Sequence, residues 1–521
     1  MATRSAATQN QPPPLTGHDL FSGNRPLVEG LRRLAPWAEQ RVQAFGALLG
    51  GEPLEWGRLA NEHPPLLRTH DRFGNRIDEV EFHPAWHSLM RLSVEHGLHA
   101  LSWREPRDGA HVARATLMLL AMQVEPGHGC PMSMTHAALP VLRATPALAG
   151  EWEPLLTALA YDPELRPPGD KAGALCGMAM TEKQGGSDVR ANTTVAERVG
   201  DEEFALTGHK WFCSAPMCDA FLVLAQAPGG LSCFLVPRVL PDGERNGFHL
   251  MRLKDKLGNR SNASAEIELD GALARLVGEE GRGVRTIIEM VNHTRLDCVL
   301  GTAAMMRAAV EQATWHTAHR AAFGRLLADQ PLMQNVLADL CVESEATTLT
   351  ALRLAEAYDD PGQAPFRRIA TAIAKYWVCK RGPAHAAEAL ECLGGNGYVE
   401  ESGLPRIYRE QPLTSIWEGS GNVIALDVLR AARREPESLE AFLAELDPDL
   451  RPHTGGAVEE VDARRFVERL ALALQGTLLR RHGDPAVAEA FFARDGGAYG
   501  TLPGGLDFRA IVERHMPRAP A

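Results

Sequence analysis

The apolar positions of this chain keep one period, change it once and then return to it. Leu27, Leu31, Leu34 and Trp37, then Val42, Phe45, Leu48 and Leu49, recur at helical spacing. The pattern continues through Leu89, Met90, Leu92 and Leu98 and over Ala115 to Val124. Around Cys176 the period falls from about 3.6 to 2. Phe204-Ala205-Leu206, Phe221 to Ala225, Ser232 to Val236 and Ala265 to Leu269 read as strands, and Gly229-Gly230 signals a hairpin turn. Helix returns after Gly281-Arg282-Gly283, with Ile287, Ile288, Val291, Leu296, Val299, Leu300 and Ala303 on one long face. Pro331 opens a second helix over Leu332, Met333, Val336, Leu337 and Leu340. A third runs from Ile369, Ile373, Tyr376 and Trp377 to Leu390 and Leu393, and Gly394-Gly395 ends it.

The predicted fold is mostly α with a central β domain. It has an N-terminal arm and helical domain over residues 1–175 and a small β-barrel over 176–278. A C-terminal helical bundle over 279–432 and a helical extension over 433–521 follow. Arg433-Arg434-Glu435-Pro436-Glu437, Pro448, Pro452 and Gly455-Gly456 read as a linker into that extension, whose apolar side is Phe466, Leu470, Leu472 and Leu474.

The 521 residues exceed what one core usually serves, so two to four domains are expected. With 45% hydrophobic and 23% charged residues, the composition is that of a soluble globular protein. There are 54 Lys and Arg against 66 Asp and Glu, a net charge of −12, and an acidic whole does not attract nucleic acid at long range. The nine cysteines never fall as Cys-x-x-Cys and read as reduced, mostly buried thiols of a cytoplasmic protein. Met1 to Pro14 is polar and proline-bearing, unlike a signal peptide, and apolar runs such as Leu117 to Val124 are too short to span a bilayer. His63, His70, His83 and His87 are irregularly spaced, so they read as core and loop residues and no metal site is expected.

Two stretches carry candidate chemistry. Met178-Ala179-Met180-Thr181-Glu182-Lys183-Gln184-Gly185-Gly186-Ser187-Asp188-Val189 joins an apolar approach to a double-glycine turn. Adjacent glycines let backbone come close to a flat ligand or a phosphate, and the hydroxyls and bare N–H groups make a neutral cradle. Taken alone, the stretch reads first as an ordinary polar loop. The second is Trp417-Glu418-Gly419-Ser420-Gly421-Asn422. A lone Glu there is usually a cap or a surface residue. Partly stripped of water beside a ring system, its pKa would rise toward that of a general base. No Gly-x-Gly-x-x-Gly follows a strand and precedes a helix, and no P-loop occurs, which argues against NAD(P).

The first stretch resembles the flavin-binding signature of the acyl-CoA dehydrogenase family, in its alkylation-response branch. Arg68 to Val80, Gly208-His209-Lys210-Trp211-Phe212, Lys254 to Ser264 and Ile416 to Asn422 resemble that branch too, from about Pro53 to Arg430. The resemblance implies FAD as cofactor, an acyl-CoA-like substrate and a homotetramer. It implies Glu418 as the base that removes the α proton of a thioester, with hydride passing to the flavin. Thr294 stands at the family's alternative base position, beside a matching Arg295. The match carries over Met178, Met180, Thr181, Gly185, Gly186 and Ser187 to flavin contacts, and Phe212-Cys213-Ser214 to the step against the ring. Arg320-Ala321-Ala322-Phe323-Gly324 resembles the segment, with its Arg320 and Phe323, that reaches a neighbouring subunit's flavin. Gly394 and Gly395 resemble the pyrophosphate loop, and Ile416, Trp417, Gly419, Ser420 and Asn422 the segment that closes over the ring and the ADP portion.

The same branch is linked to duplex-DNA binding through a C-terminal extension. From Ala431 onward this chain has 12 Arg and no Lys against 15 Asp and Glu. Arg433-Arg434, Arg464-Arg465 and Arg480-Arg481 could cluster as a phosphate-binding face or serve as solvated helix faces laced with ion pairs. Three functions therefore stand open: an acyl-CoA-oxidising flavoenzyme, a flavin-bearing DNA-protective protein with residual dehydrogenation, and a flavin-stabilised scaffold.

Overall fold

The structure is a computed structural model that describes residues 10–452 and 458–518. Gly455-Gly456 of the expected linker lie outside those residues.

The chain begins with α1 (Arg25–Leu34), α2 (Glu39–Leu49) and α3 (Pro53–Glu62). Asn24 caps α1 by accepting from the Leu27 N–H, with Pro26 in the first turn. A hairpin of β1 (Leu66–His70) and β2 (Arg76–Glu81) then interrupts a region whose apolar pattern is helical on either side. Its turn is built locally: the Asp71 carboxylate accepts from the N–H groups of Phe73 and Asn75. Helix resumes with α4 (Pro84–Glu95), α5 (Leu101–Arg104), α6 (Ala110–Val124), α7 (Gly129–Leu142) and α8 (Pro146–Leu156).

The strands are β3 (Cys176–Ala179), β4 (Val195–Arg198), β5 (Glu203–Ser214), β6 (Ala220–Ala227), β7 (Gly230–Pro237), β8 (Phe248–Leu253) and β9 (Ser264–Val277). Neighbour follows neighbour as β6, β7, β9, β5, β4 and back to β6, which closes a small barrel; β3 pairs with β6, and β8 with β9. The hairpin expected at Gly229-Gly230 is there, with Ala227 paired to Gly230. Phe204 and Phe234, ring centres 5.0 Å apart, fill the interior.

Beyond the barrel come α9 (Gly283–His319), a short hairpin of β10 (Ala321–Ala322) and β11 (Arg325–Leu326), α10 (Pro331–Asp359), α11 (Ala364–Glu391), α12 (Leu404–Thr414) and α13 (Gly421–Arg434). The extension is α14 (Pro436–Glu445), α15 (Ala463–His482), α16 (Pro485–Ala493) and α17 (Phe508–His515). Arg433 to Glu437 is not a loose linker: α13 runs through Arg434, and Pro436 starts α14 at once.

Two compact units result. One holds Glu55–Ala110 and Glu125–Asp297, and so contains the barrel; the other holds residues up to Leu54, His111–Val124 and the chain from Cys298 onward. In the second, α14 and α15 pack on α11, and α15, α16 and α17 pack on α10. All nine cysteines are buried thiols outside any disulfide. No helix among the described residues is long and apolar enough to cross a membrane, and no His, Cys, Asp or Glu group among them could hold a metal ion.

The last helix is clamped by charge. Arg514 donates to Glu345 at 2.9 Å and to Glu29, while His515 Nε2 lies 3.0 Å from Glu345. Burial alone would raise the Glu345 carboxyl, but His515 and Arg514 outweigh it and hold its pKa down to about 2. A carboxyl whose folded pKa is depressed stabilises above its unfolded value, about 4.5, and that stabilisation is lost as pH falls toward 2. Amide exchange in α17 is therefore expected to accelerate between pH 4.5 and 2, and Glu345→Gln is expected to remove that dependence.

Candidate active site

On the barrel, the double-glycine turn is fixed by a buried carboxylate. Glu182 and Lys210 are fully buried, with Nζ and Oε1 2.7 Å apart, and Lys210 also donates to the Leu224 carbonyl at 2.7 Å. Glu182 further accepts from the Thr193 N–H and hydroxyl, the Thr194 N–H and hydroxyl, and the Gln184 amide. Burial works against the Glu182 anion, but these donors outweigh it and keep the group well below the usual carboxylate range. Burial also pulls the Lys210 ammonium down to about 8. A carboxylate so fully satisfied is a fixed post, and the turn hangs from it.

Around the post the predicted residues take their places. Met178 lies on β3, and Met180 and Thr181 lie just beyond it, all half-buried. Gly185 has φ +139°, and a Cβ at Gly186 would meet the Thr181 hydroxyl at 2.4 Å, so only glycine closes this turn. Ser187 is exposed.

The Trp211 N–H donates to the Thr181 carbonyl at 2.8 Å, which ties the turn to β5. There the β5–β9 register slips: Lys210 pairs with Ile267, but Cys213 pairs with Ala265. The extra residue is a bulge, which re-aims side chains. Phe212 consequently turns outward and is 50% exposed, while Cys213 is buried and Ser214 half-buried. Burial raises the Cys213 thiol, which stays protonated. The Lys254 ammonium lies 3.4 Å from the Trp211 ring centre and 4.7 Å from that of Phe212.

In the other unit, the turn after α12 carries Ile416 to Ser420. Ile416 is 61% exposed; Trp417, Glu418, Gly419 and Ser420 are half-buried, and Asn422 is exposed on α13. Glu418 adopts φ +58°, which is rare for a residue with a Cβ and costs about 1–3 kcal/mol. A buried cation holds it there. Lys375 on α11, 1% exposed, donates to the Trp417 carbonyl at 2.8 Å and to the Gly419 carbonyl, one on each side of Glu418. The Trp417 indole N–H is buried and meets no acceptor among the described residues. Lys375→Met is expected to leave the protein folded and to loosen the Glu418 turn, read as faster amide exchange at Glu418 and Gly419; unchanged exchange would contradict its hold on that turn.

The remaining predicted residues lie in the same unit. Phe323 and Gly324, at φ +51° and +82°, form the tip of the β10–β11 hairpin, where Phe323 is 96% exposed. Arg320 donates to the Asn10 carbonyl at 2.8 Å, and Asn396, next to the exposed Gly394 and Gly395, donates to Gln11. Asn10 and Gln11 thus join two segments that no motif connects. At the alternative base position, Thr294 turns its hydroxyl back to the Val291 carbonyl.

Glu182, Lys210, Lys254 and Lys375 were not among the predicted site residues. The signal that could have found the first two is a carboxylate and a lysine inside otherwise apolar or small-residue strand ends. Lys375 carries no local signal, because its partners lie 42 and 44 residues away.

Known proteins share the domains of this chain. Residues 10–163 match the adaptive response protein AidB N-terminal domain, 177–272 the acyl-CoA dehydrogenase middle domain, and 281–432 the acyl-CoA dehydrogenase C-terminal domain. The chain is 47% identical to AidB of Escherichia coli over 502 residues, 92% of this chain and 93% of that one. It is 33% identical to acyl-CoA dehydrogenase family member 11 of Caenorhabditis elegans, over 82% of this chain and 73% of the relative. Among solved structures, Caenorhabditis elegans ACDH-11 in complex with C11-CoA superposes with a TM-score of 0.83 at 27% identity, covering 98% of this chain and 93% of that one. A double-glycine turn on a small barrel, the Trp-Glu-Gly segment after α12 and three successive domain matches lead to one assignment: this chain belongs to the acyl-CoA dehydrogenase family of oxidoreductases, in its AidB branch.

Proposed function

We propose that this protein oxidises the α,β bond of an acyl-CoA-like thioester, with FAD as cofactor and Glu418 as the base that takes the α proton. The observation that carries this reading is the Glu418 turn: a carboxylate in a rare backbone conformation, clamped by the Lys375 ammonium on both neighbouring carbonyls. Thr294, bonded within its own helix, offers no competing base. FAD, when bound, supplies the hydride acceptor.

The residues present fit that cofactor. In the barrel-containing unit, a Cβ at Gly186 would meet the Thr181 hydroxyl and Phe212 offers an exposed flat face; in the other unit by itself, the buried Trp417 N–H has no acceptor among the described residues. The strained, exposed Phe323 suits the segment that in this family reaches a neighbouring subunit's flavin, which supports an oligomer, and the family resemblance makes that oligomer a homotetramer. Anaerobic titration of the flavin-loaded protein with straight and branched acyl-CoAs tests the proposal. Loss of oxidised-flavin absorbance with at least one chain length is expected, and none with any of them overturns it.

Duplex DNA has a narrower basis. Arg480 and Arg481 pair with Asp447, Arg494 with Asp339 and Glu343, Arg509 with Glu513, and Arg514 with Glu29 and Glu345. Among the arginines outside these pairs, Arg434, Arg465 and Arg469 lie exposed on α13 and α15, helices that pack together, and they are the set proposed for phosphate. A salt-sensitive gel shift is expected to vanish when all three become alanine. A shift that survives, or none from the native protein at low salt, removes this reading.

A further inference from the structure

Between α10, α11, α15 and α16 lies a cleft of about 640 Å3, within the range of small-molecule sites. It lies wholly in the bundle and the extension, and none of its lining belongs to the double-glycine turn or the Glu418 turn. Trp377, Leu472, Phe491 and Phe492 give it apolar and aromatic walls.

Its inner polar groups are unevenly satisfied. Asp339 and Glu343 share Arg494, which donates to them at 2.7 and 2.9 Å. Arg381 gives one N–H to Glu343 at 3.1 Å, and its guanidinium lies 5.0 Å from the Tyr499 ring centre and 5.6 Å from that of Trp377. Among the described residues, the buried Arg381 Nε–H has no acceptor and the buried Tyr499 hydroxyl has no partner. Burial raises the Tyr499 phenol, so it stays protonated and able to donate. Two buried donors close to each other without acceptors are costly unless something else supplies the acceptors. Glu468, Asp495 and Arg469 complete the charged lining, with Asp495 and Arg469 exposed.

We propose that this cleft is a second small-molecule site, which takes a flat apolar acid. The ring system packs against Trp377, Phe491 and Phe492, and the carboxylate accepts from the Arg381 Nε–H and the Tyr499 hydroxyl. The inference stands apart from the dehydrogenase reading, because no group in the cleft takes part in that chemistry.

Equilibrium dialysis of the full-length, FAD-loaded protein with 2-naphthoate tests it. One saturable site is expected, with flavin absorbance unchanged on binding. Tyr499→Phe is expected to weaken binding about tenfold, the worth of one hydrogen bond to a charged group. Leu472→Trp, which fills the cleft from α15, is expected to abolish binding while acyl-CoA titration of the flavin stays native. The cationic 2-naphthylmethylamine, which brings donors where acceptors are wanted, is expected not to bind. Absence of saturable 2-naphthoate binding, binding untouched by both variants, or equal binding of the amine overturns the proposal. So does a change of oligomeric state in Leu472→Trp with no binding to the native protein, which would make the cleft a seat for a second copy of the chain.

Discussion

Glu418→Gln is expected to lower the rate of flavin reduction by acyl-CoA at least about a hundredfold, within the range that a positioned general base contributes. Glutamine keeps the shape of the side chain and loses only its capacity to take a proton. The two carbonyl contacts of Lys375 are made to Trp417 and Gly419, so the backbone of the turn has no reason to move. Acyl-CoA affinity should therefore change little, and stopped-flow reduction under anaerobic conditions separates the two quantities. A variant that binds less tightly but reduces its flavin at the native rate would place the base elsewhere. Thr294, the other position the family uses, cannot take over without a substitution of its own, because a hydroxyl bonded to the Val291 carbonyl is no proton acceptor near neutral pH.

The second large effect is on stability. Glu182→Ala strips the buried Lys210 ammonium of its counterion and leaves only the Leu224 carbonyl to receive it. Breaking one side of a buried pair typically costs about 3–5 kcal/mol, far more than an intact pair contributes. In the same stroke the Thr193 hydroxyl loses its acceptor, and that of Thr194 keeps only the His209 carbonyl at 3.3 Å. Urea unfolding of the barrel-containing unit should shift to a lower midpoint with little change in slope. The double variant Glu182→Gln, Lys210→Met is expected to recover much of the loss, because it removes the charge as well as its partner. If the single and double variants unfold alike, the pair is not what holds the turn.

These two residues illustrate what sequence could and could not say. The change of period near Cys176 located the barrel because alternation is a local property, visible in four or five consecutive residues. The long helices after Gly283 were equally plain. The hairpin of β1 and β2 was not: Arg76-Ile77-Asp78-Glu79-Val80-Glu81 has only two apolar residues, and its turn is made by the Asp71 side chain. Arg433 to Glu437 looked like a linker from its prolines and charges, yet Pro436 serves as a helix start. Motif resemblance singled out Glu418, Phe212 and the double glycine, but not the groups that hold them. Glu182 and Lys210 are 28 residues apart, and their meeting depends on how the strands close. The outward turn of Phe212 depends on a register slip against β9, which no property of β5 alone foretells.

The central claim is that Glu418 takes a proton from carbon, and it can be tested without the redox step. An acyl-CoA analogue with sulfur in place of the β carbon can lose its α proton but cannot pass on a hydride. Its enolate beside oxidised flavin gives a long-wavelength charge-transfer band. That band is expected to appear on adding the analogue to the native, FAD-loaded protein and to be missing in Glu418→Gln at saturating analogue. A band of native intensity in the variant would mean that another group removes the proton.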